Sequence, residues 1–363
     1  MWDLFCEVVD NYGDIGVSWR LARILDAEHG VPVRLWCDDP AAFARIEPRV
    51  DPGAPVQRIG GVEVRRWAEP FPDVAPGEAV IEAFGCRLPE SFVDAMAARH
   101  PAPVWINLEY LTAEPWGQSC HGMASPHPRL PLVKRFFFPG FGPGTGGLLR
   151  ELGLVAARDA AQRDAAAGPL RVSVFGYGNT AFPRLLDAWA RGPRRIECLV
   201  PEGHAVAGVR AFAGEAPAPG DRMVRGALEI VALPFTDQAG YDRLLWSCDW
   251  NFVRGEDSFV RAQWAARPLV WQLYPQEAGA HFAKLEAFLD VYGAVLDDPA
   301  RAALGGLMRA WNGAPHAPGV EEAWEAAAAA VGLRRHAMDW AARLAAGPEL
   351  AAALADFIRS SVK

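Results

Sequence analysis

Short apolar runs alternate along this chain with longer stretches whose apolar residues recur at helical spacing. Leu4–Val9 is of the first kind and predicts a strand. Ile15–Glu28 is of the second kind, with Val17, Leu21, Ile24 and Leu25 on one helical face. Val31–Cys37 predicts a second strand, and Pro40–Ile46 the start of another helix. Ala79–Phe84 and Val104–Leu108 read as buried strands around a helix over Glu90–Arg99. The alternation begins afresh later, with strands at Leu170–Phe175, Ile196–Val200, Glu229–Leu233, Trp250–Val253 and Pro268–Gln272, and a helix over Phe182–Ala190. Strand and helix in turn imply a mainly parallel sheet covered by helices. From about Pro299 the chain is Ala-rich and helical, with segments Glu321–Ala330, Leu333–Ala346 and Glu349–Val362. Gly347-Pro348 stops one of these helices before the next starts.

The texture breaks near residue 150. A Gly/Pro-rich loop follows the aromatic run Phe136-Phe137-Phe138, and a charged, Ala-rich stretch from Leu152 to Ala167 ends in Gly168-Pro169. Each side of the break begins with a strand and a glycine turn. This pattern predicts an α/β protein of two Rossmann-like domains facing each other across a cleft, with ligands at the carboxyl ends of the strands. The expected division is 1–155, 169–340 and a final helix, 341–363, that packs back on the first domain. A chain of 363 residues suits two cores, since one core seldom grows past ~250–300 residues.

A net charge of −8 argues against a nucleic-acid partner, which calls for a basic excess. Charges interrupt the apolar runs well short of ~18 residues, so no membrane span is expected. The acidic start of the chain reads as a strand and not as a targeting segment. Six dispersed cysteines with no C-x-x-C fit reduced thiols in the cytoplasm, not a disulfide framework or a zinc site. The histidines lack ligand spacing; His281 and Lys284 read as surface or cleft lining, and neither a metal nor another cofactor is expected.

Four turns carry the candidate chemistry. The richest is Phe252-Val-Arg-Gly-Glu-Asp-Ser-Phe-Val-Arg-Ala-Gln-Trp264, an apolar strand that runs into Arg254, Gly255 and Glu256. Asp257 and Ser258 stand at the start of the following helix, where such residues cap free N–H groups. The same helix start, with Arg254 beside it, can grip a phosphate. The first turn, Asp10-Asn11-Tyr12-Gly13-Asp14, lacks G-x-G-x-x-G and so does not suit a nicotinamide cofactor. It holds two carboxylates instead. Asp14 reads equally as a helix cap or as a chemical group, whereas Asp10 has no capping duty; together they suit a cationic acceptor or general-base work. The third turn, Phe175-Gly-Tyr-Gly-Asn-Thr180, brings Tyr177 to a strand end, with Asn179 or Thr180 as cap. The fourth, Leu233-Pro-Phe-Thr-Asp-Gln238, taken alone has Phe235 in the core and Gln238 exposed. Beside the other three, it suits a flat heterocycle, Phe235 stacking and Gln238 hydrogen bonding. A polar cluster at Trp271-Gln-Leu-Tyr274-Pro-Gln276 ends a further strand. No G-x-S-x-G or P-loop occurs, which removes α/β-hydrolase and P-loop readings.

Asp10-Asn-Tyr-Gly-Asp-Ile-Gly-Val-Ser-Trp-Arg-Leu-Ala-Arg23 resembles the opening motif of the bacterial protein-arginine rhamnosyltransferases that modify translation elongation factor P, the EarP family. Asn107-Leu-Glu-Tyr-Leu111, Phe138-Pro-Gly-Phe141, Thr145-Gly-Gly147 and above all Asn251–Trp264 add to the resemblance, which runs from residue 8 to about 289. It implies a GT-B fold with the donor in the carboxyl-terminal domain. It also implies dTDP-β-L-rhamnose as donor, one arginine of elongation factor P as acceptor, and inversion at the anomeric carbon. By the same resemblance Asp10 and Asp14 match acceptor-side aspartates, Asp14 being the expected base, and Glu256 matches an essential glutamate. Tyr177, Phe235, Gln238, Arg254, Asp257, Ser258 and Tyr274 match donor-contacting positions, with Phe235 near the thymine; Gly255 and the Asn11-Tyr12-Gly13 turn complete the candidate site. The E-x7-E pattern of many retaining GT-B enzymes is missing, since the residue eight beyond Glu256 is Trp264.

Two rivals remain at this stage. Another sugar-nucleotide enzyme of the same fold, such as an epimerase or a lipopolysaccharide glycosyltransferase, is the first. A membrane-bound acceptor would favour a basic amphipathic patch near the amino terminus, and none is evident. The second, a nucleotide-binding regulator, has little use for the Asp10/Asp14 pair.

Overall fold

The computed structural model describes residues 1–9, 12–163, 168–276 and 279–361. They form two compact units, 1–152 joined by 344–363, and 153–343.

The first unit contains β1 (Trp2–Cys6), α1 (Gly13–His29), β2 (Val33–Cys37), α2 (Pro40–Ile46), β3 (Val56–Ile59), β4 (Val62–Arg66), β5 (Ala79–Ala83), α3 (Glu90–Ala98), β6 (Val104–Leu108), α4 (Pro115–Cys120), β7 (Ala124–Pro126) and β8 (Val133–Phe137). The strands lie in the order β3-β4-β2-β1-β5-β6-β8-β7. Only the outer pairs, β3/β4 and β7/β8, run antiparallel. β1, β2 and β5 are buried at every position, which is why they read as unbroken apolar runs and not as alternation. Their charged members are paired. Arg34 donates to both oxygens of Asp3 at 2.5 and 3.0 Å, and Trp36 Nε1 and the Gly77 N–H supply further donors to the same carboxylate. The chain leaves β1 toward β2 on one side and returns to β5 on the other, so the order reverses between β1 and β5.

The second unit contains α5 (Leu154–Arg163), β9 (Leu170–Val174), α6 (Ala181–Arg191), β10 (Ile196–Pro201), α7 (Val206–Ala213), β11 (Arg222–Arg225), β12 (Leu228–Leu233), α8 (Gln238–Ser247), β13 (Trp250–Arg254), α9 (Asp257–Trp264), β14 (Leu269–Gln272), α10 (Ala280–Tyr292), α11 (Asp298–Trp311), α12 (Val320–Ala329) and most of α13 (Leu333–Ala345). Its sheet order is β11-β12-β10-β9-β13-β14, parallel except for β11. Here the reversal falls between β9 and β13. The final helix, α14 (Leu350–Ser361), lies in the first unit, where Phe357 packs edge-on against Phe137 at 5.5 Å.

The charged stretch after Leu152 forms helix α5 over much of its length, and 164–167 lie outside the described residues. Arg158 and Gln162 fasten α5 to the carbonyls of Trp264 and Ala265 at 3.0 and 2.9 Å. Pattern reading passed over β3, β4, β7, β8 and β11: β3, β7 and β11 are short, largely exposed edge strands, and β4 and β8 interleave charged residues with apolar ones, so none shows an apolar run. Among the described residues no helix is long and apolar enough to cross a membrane.

Candidate functional site

Parallel strands deliver the loops that follow them to one edge of the sheet, and ligands gather where the strand order reverses. In the second unit that point lies between β9 and β13. Arg254 ends β13, and Phe175 and Tyr177 follow β9. The Arg254 guanidinium sits 4.8 Å from the Phe175 ring centre and 4.5 Å from that of Tyr177, and the residue is only 7% exposed. Aromatic faces hold a guanidinium in a fixed plane while it keeps its charge. Tyr274, beyond β14, meets Tyr177 edge-on at 5.4 Å and is 59% exposed. Arg254, Tyr177 and Tyr274, expected together, are thus in one cluster.

Gly255 has φ +58°, a left-handed turn that reverses the chain from β13 into α9. The capping expected of Ser258 is not what its side chain does. Glu256 occupies the cap position and makes no side-chain cap bond. Ser258 is already the second helical residue, and helical side chains lean toward the amino end. Its hydroxyl accepts the Arg254 N–H at 3.1 Å and donates to the Arg254 carbonyl, tying the helix back to the strand. Asp257 lies in the first turn, where the helix dipole favours an anion. In the β9 turn, Asn179 accepts the Ala181 N–H at 2.6 Å, whereas Thr180 makes no cap bond.

The segment after β12 reverses what it suggests when taken alone. Gln238 opens α8 and is 8% exposed, while Phe235 is half-buried. Asp237 caps the helix by accepting the Gly240 N–H at 2.7 Å. One turn on, the Tyr241 ring meets Phe175 at 5.5 Å, so the start of α8 and the Arg254 cluster share Phe175. Sequence reading missed a buried link between the helices: Arg261 on α9 donates to both oxygens of Asp242 on α8 at 2.8 and 2.7 Å. A signal was present, since Arg261 and Gln263 sit among Phe259, Val260, Ala262 and Trp264 with no polar face of their own.

In the first unit Asp10 and Asn11 lie outside the described residues. Tyr12 is the cap residue of α1 without a side-chain cap bond, Gly13 starts the helix, and Asp14 follows, only 3% exposed. Asp14 does not cap either. It accepts the Val9 N–H at 2.8 Å on one oxygen and the Tyr110 hydroxyl at 3.3 Å on the other. The Tyr110 ring stacks on Phe84 at 4.5 Å, just past β5, so this cluster stands at the β1/β5 reversal. Beside Tyr110, burial pushes the Glu109 carboxyl above its usual range, and Asn107 donates to it at 2.6 Å. Carboxylate and aromatic face together suit a planar cation. The sequence marked the Asn107–Leu111 segment, but Tyr110 and Glu109 had no assigned part.

His281, expected at a surface or cleft, is buried and accepts the Gln276 N–H at 3.1 Å through Nδ1. His121 and His127 also serve backbone amides, of Phe138 and Leu130. Among the described residues no three His, Cys, Asp or Glu side chains gather as metal ligands.

The profile of the family described as Elongation-Factor P (EF-P) rhamnosyltransferase EarP matches residues 2–359. A protein-arginine rhamnosyltransferase of Pseudomonas putida is 51% identical over 377 aligned positions, covering 99% of each chain. A solved structure described as the basis for EarP-mediated arginine glycosylation of translation elongation factor EF-P is 39% identical, covers 99% of both chains and has a TM-score of 0.69. MurG of Acinetobacter baumannii, at 15% identity, covers 99% of both chains with a TM-score of 0.50 and is alike in fold alone. These likenesses bear out the expected α/β, GT-B architecture of two Rossmann-like units with C-terminal helices.

Proposed function

Because the chain belongs to the EarP family and is a protein-arginine rhamnosyltransferase, we propose that it transfers L-rhamnose from dTDP-β-L-rhamnose to one arginine side chain of translation elongation factor P. We assign the donor to the second unit and the acceptor to the first. The observation that carries the donor assignment is the Arg254 guanidinium, held between Phe175 and Tyr177 at the strand-order reversal. An oriented, partly desolvated cation beside a helix start suits a pyrophosphate. On this reading Phe235 stacks on the thymine, Gln238 hydrogen-bonds the donor, and Tyr274 borders it.

An arginine arrives charged, with a pKa above ~12, and is a poor nucleophile until its charge is localised and a proton accepted. Asp14 is the base in this proposal, with Asp10 and Glu256 as supporting carboxylates. One guanidinium nitrogen attacks the anomeric carbon, the bond from that carbon to the dTDP oxygen breaks, and the nitrogen's proton passes to Asp14. A single displacement inverts the anomeric carbon. Arg254 and the first amides of α9 stabilise the charge growing on dTDP, so no metal is required. We take the cytoplasm as the compartment of this reaction.

The test incubates the protein with dTDP-β-L-rhamnose and elongation factor P and follows the intact mass of the acceptor. A gain of one deoxyhexosyl group, undiminished by a chelator and lost when the acceptor arginine is replaced by lysine, is expected. An unchanged mass with correctly folded protein and acceptor would overturn the proposal. The anomeric coupling pattern of the product by NMR checks inversion.

A further inference from the structure

Gln272, the last residue of β14, touches both halves of the Arg254 cluster. Its side-chain Oε1 accepts the Tyr177 N–H at 2.9 Å in a buried setting. Its main-chain carbonyl accepts the Gly255 N–H at 3.2 Å. Trp271, the preceding residue, donates through Nε1 to the Gly255 carbonyl at 2.8 Å. One strand end therefore holds the turn that carries Tyr177 and the turn that follows Arg254.

Gln272 itself has little slack. Asn312 at the end of α11 accepts the Leu273 N–H at 2.9 Å and donates to the Trp271 carbonyl at 2.7 Å, fixing the backbone on either side. Asn179 fastens the β9 turn to the same helix end by donating to the Trp311 carbonyl at 2.7 Å. Gly176 completes the fit. A Cβ there would lie 2.6 Å from Gln272 Oε1, so the residue is small to let the amide carbonyl reach across the turn. Gly176 does not adopt a left-handed φ, so space is the reason for the glycine.

We propose that Gln272 is a positioning residue for the donor: it sets the Tyr177 ring against the Arg254 guanidinium before the nucleotide sugar arrives. The proposal rests on the donor assignment above. An amide suits the task because it supplies a neutral acceptor that does not compete with phosphate for Arg254. Without it the buried Tyr177 N–H loses its partner, and the turn gains freedom that binding must then remove.

The test compares wild type with Gln272→Leu, Gln272→Ala, Gly176→Ala and the pair Gly176→Ala/Gln272→Ala, using calorimetric dTDP binding, steady-state kinetics and hydrogen exchange at the Tyr177 amide. In Gln272→Leu, dTDP affinity should fall about tenfold and the donor KM rise in step, the scale of one buried hydrogen bond. The acceptor KM and the kcat at saturating donor should stay within about twofold of wild type, and the Tyr177 amide should exchange faster. A purely structural role would lower thermal stability without this split. Gly176→Ala, which keeps Gln272 and so covers the case of a Gln272→Leu chain that fails to fold, should show a similar donor defect. In the Gln272→Ala background the added methyl meets no amide oxygen and should cost nothing further. Wild-type dTDP affinity and unchanged Tyr177 exchange in Gln272→Leu would overturn the proposal, as would additive losses in the double variant. A wild-type chain that binds no dTDP would instead overturn the donor assignment, and the Tyr177 exchange rates would still decide whether Gln272 holds the turn.

Discussion

Asp242→Ala removes the carboxylate that holds Arg261, whose side chain is 1% exposed against 8% for Asp242. Two charge-assisted bonds of 2.8 and 2.7 Å are lost, and the guanidinium stays in the interior between α8 and α9. Breaking a buried pair from one side costs about 3–5 kcal/mol, because the remaining charge keeps its desolvation penalty. For a unit of this size that corresponds to a drop of roughly 6–20 °C in melting temperature. Asp187→Ala is the control: its partner Arg191 is 72% exposed, and such a pair contributes less than ~1 kcal/mol. Asp242→Leu/Arg261→Met removes both charges and should melt far closer to wild type. Differential scanning calorimetry on the four proteins provides the measurement. An Asp242→Ala protein that melts within a degree or two of the control, or a double variant as unstable as the single one, would refute this reasoning. The consequence reaches function, since α9 follows directly on Arg254: the destabilised single variant should also bind dTDP more weakly.

Asp14→Asn keeps an oxygen for the Val9 N–H, so the fold should hold while transfer to elongation factor P falls by at least ~10²-fold, the scale of lost general-base catalysis; unchanged dTDP binding by calorimetry with intact turnover would remove Asp14 as base. Burial raises the Glu109 carboxyl, so its stabilising influence is present below the ordinary carboxylate range and is lost as pH rises through the raised value. Glu109→Gln keeps an acceptor for Asn107 without the charge, and its melting-temperature gain should be present at about pH 8 and vanish by about pH 4; a gain that is the same at both would contradict the assignment. Five of the six cysteines are buried and only Cys120 is partly exposed, with burial pushing the Cys37 thiol up to about 12 and Cys248 to about 11. A thiol reagent under native conditions should therefore label at most Cys120 quickly and the rest only on unfolding.

Much of the fold was legible because parallel, doubly covered strands announce themselves as apolar runs. β6 and α2 have the bounds that pattern reading assigns, and the other long elements differ by a few residues at their ends. The edge strands β3, β7 and β11 were not legible, because exposed strands need no apolar pattern, and β4 and β8 were not legible because charged residues break their apolar ones. The turns were visible as glycine and charge between a strand and a helix, and Arg254, Tyr177 and Tyr274 do gather. What their side chains do was less visible. Ser258 ties its helix to a strand where a local reading gave it a cap, and Asp14 binds a preceding amide and a tyrosine from another strand end where that reading held a cap and a chemical role equal.

The sequence by itself determined the α/β alternation, the two Rossmann-like units and the motifs that mark the family, because periodicity and turn chemistry are local properties of the chain. Only the tertiary structure decided which residues share a site. Phe175, Arg254 and Gln272 are far apart along the chain but meet because β9, β13 and β14 lie side by side and end at one edge. Tyr110 reaches Asp14 for the same reason, across the β1–β5–β6 order. Strand order is set by long-range packing, which no local pattern encodes, and it gathers separate glycine turns into one side-chain cluster in each unit.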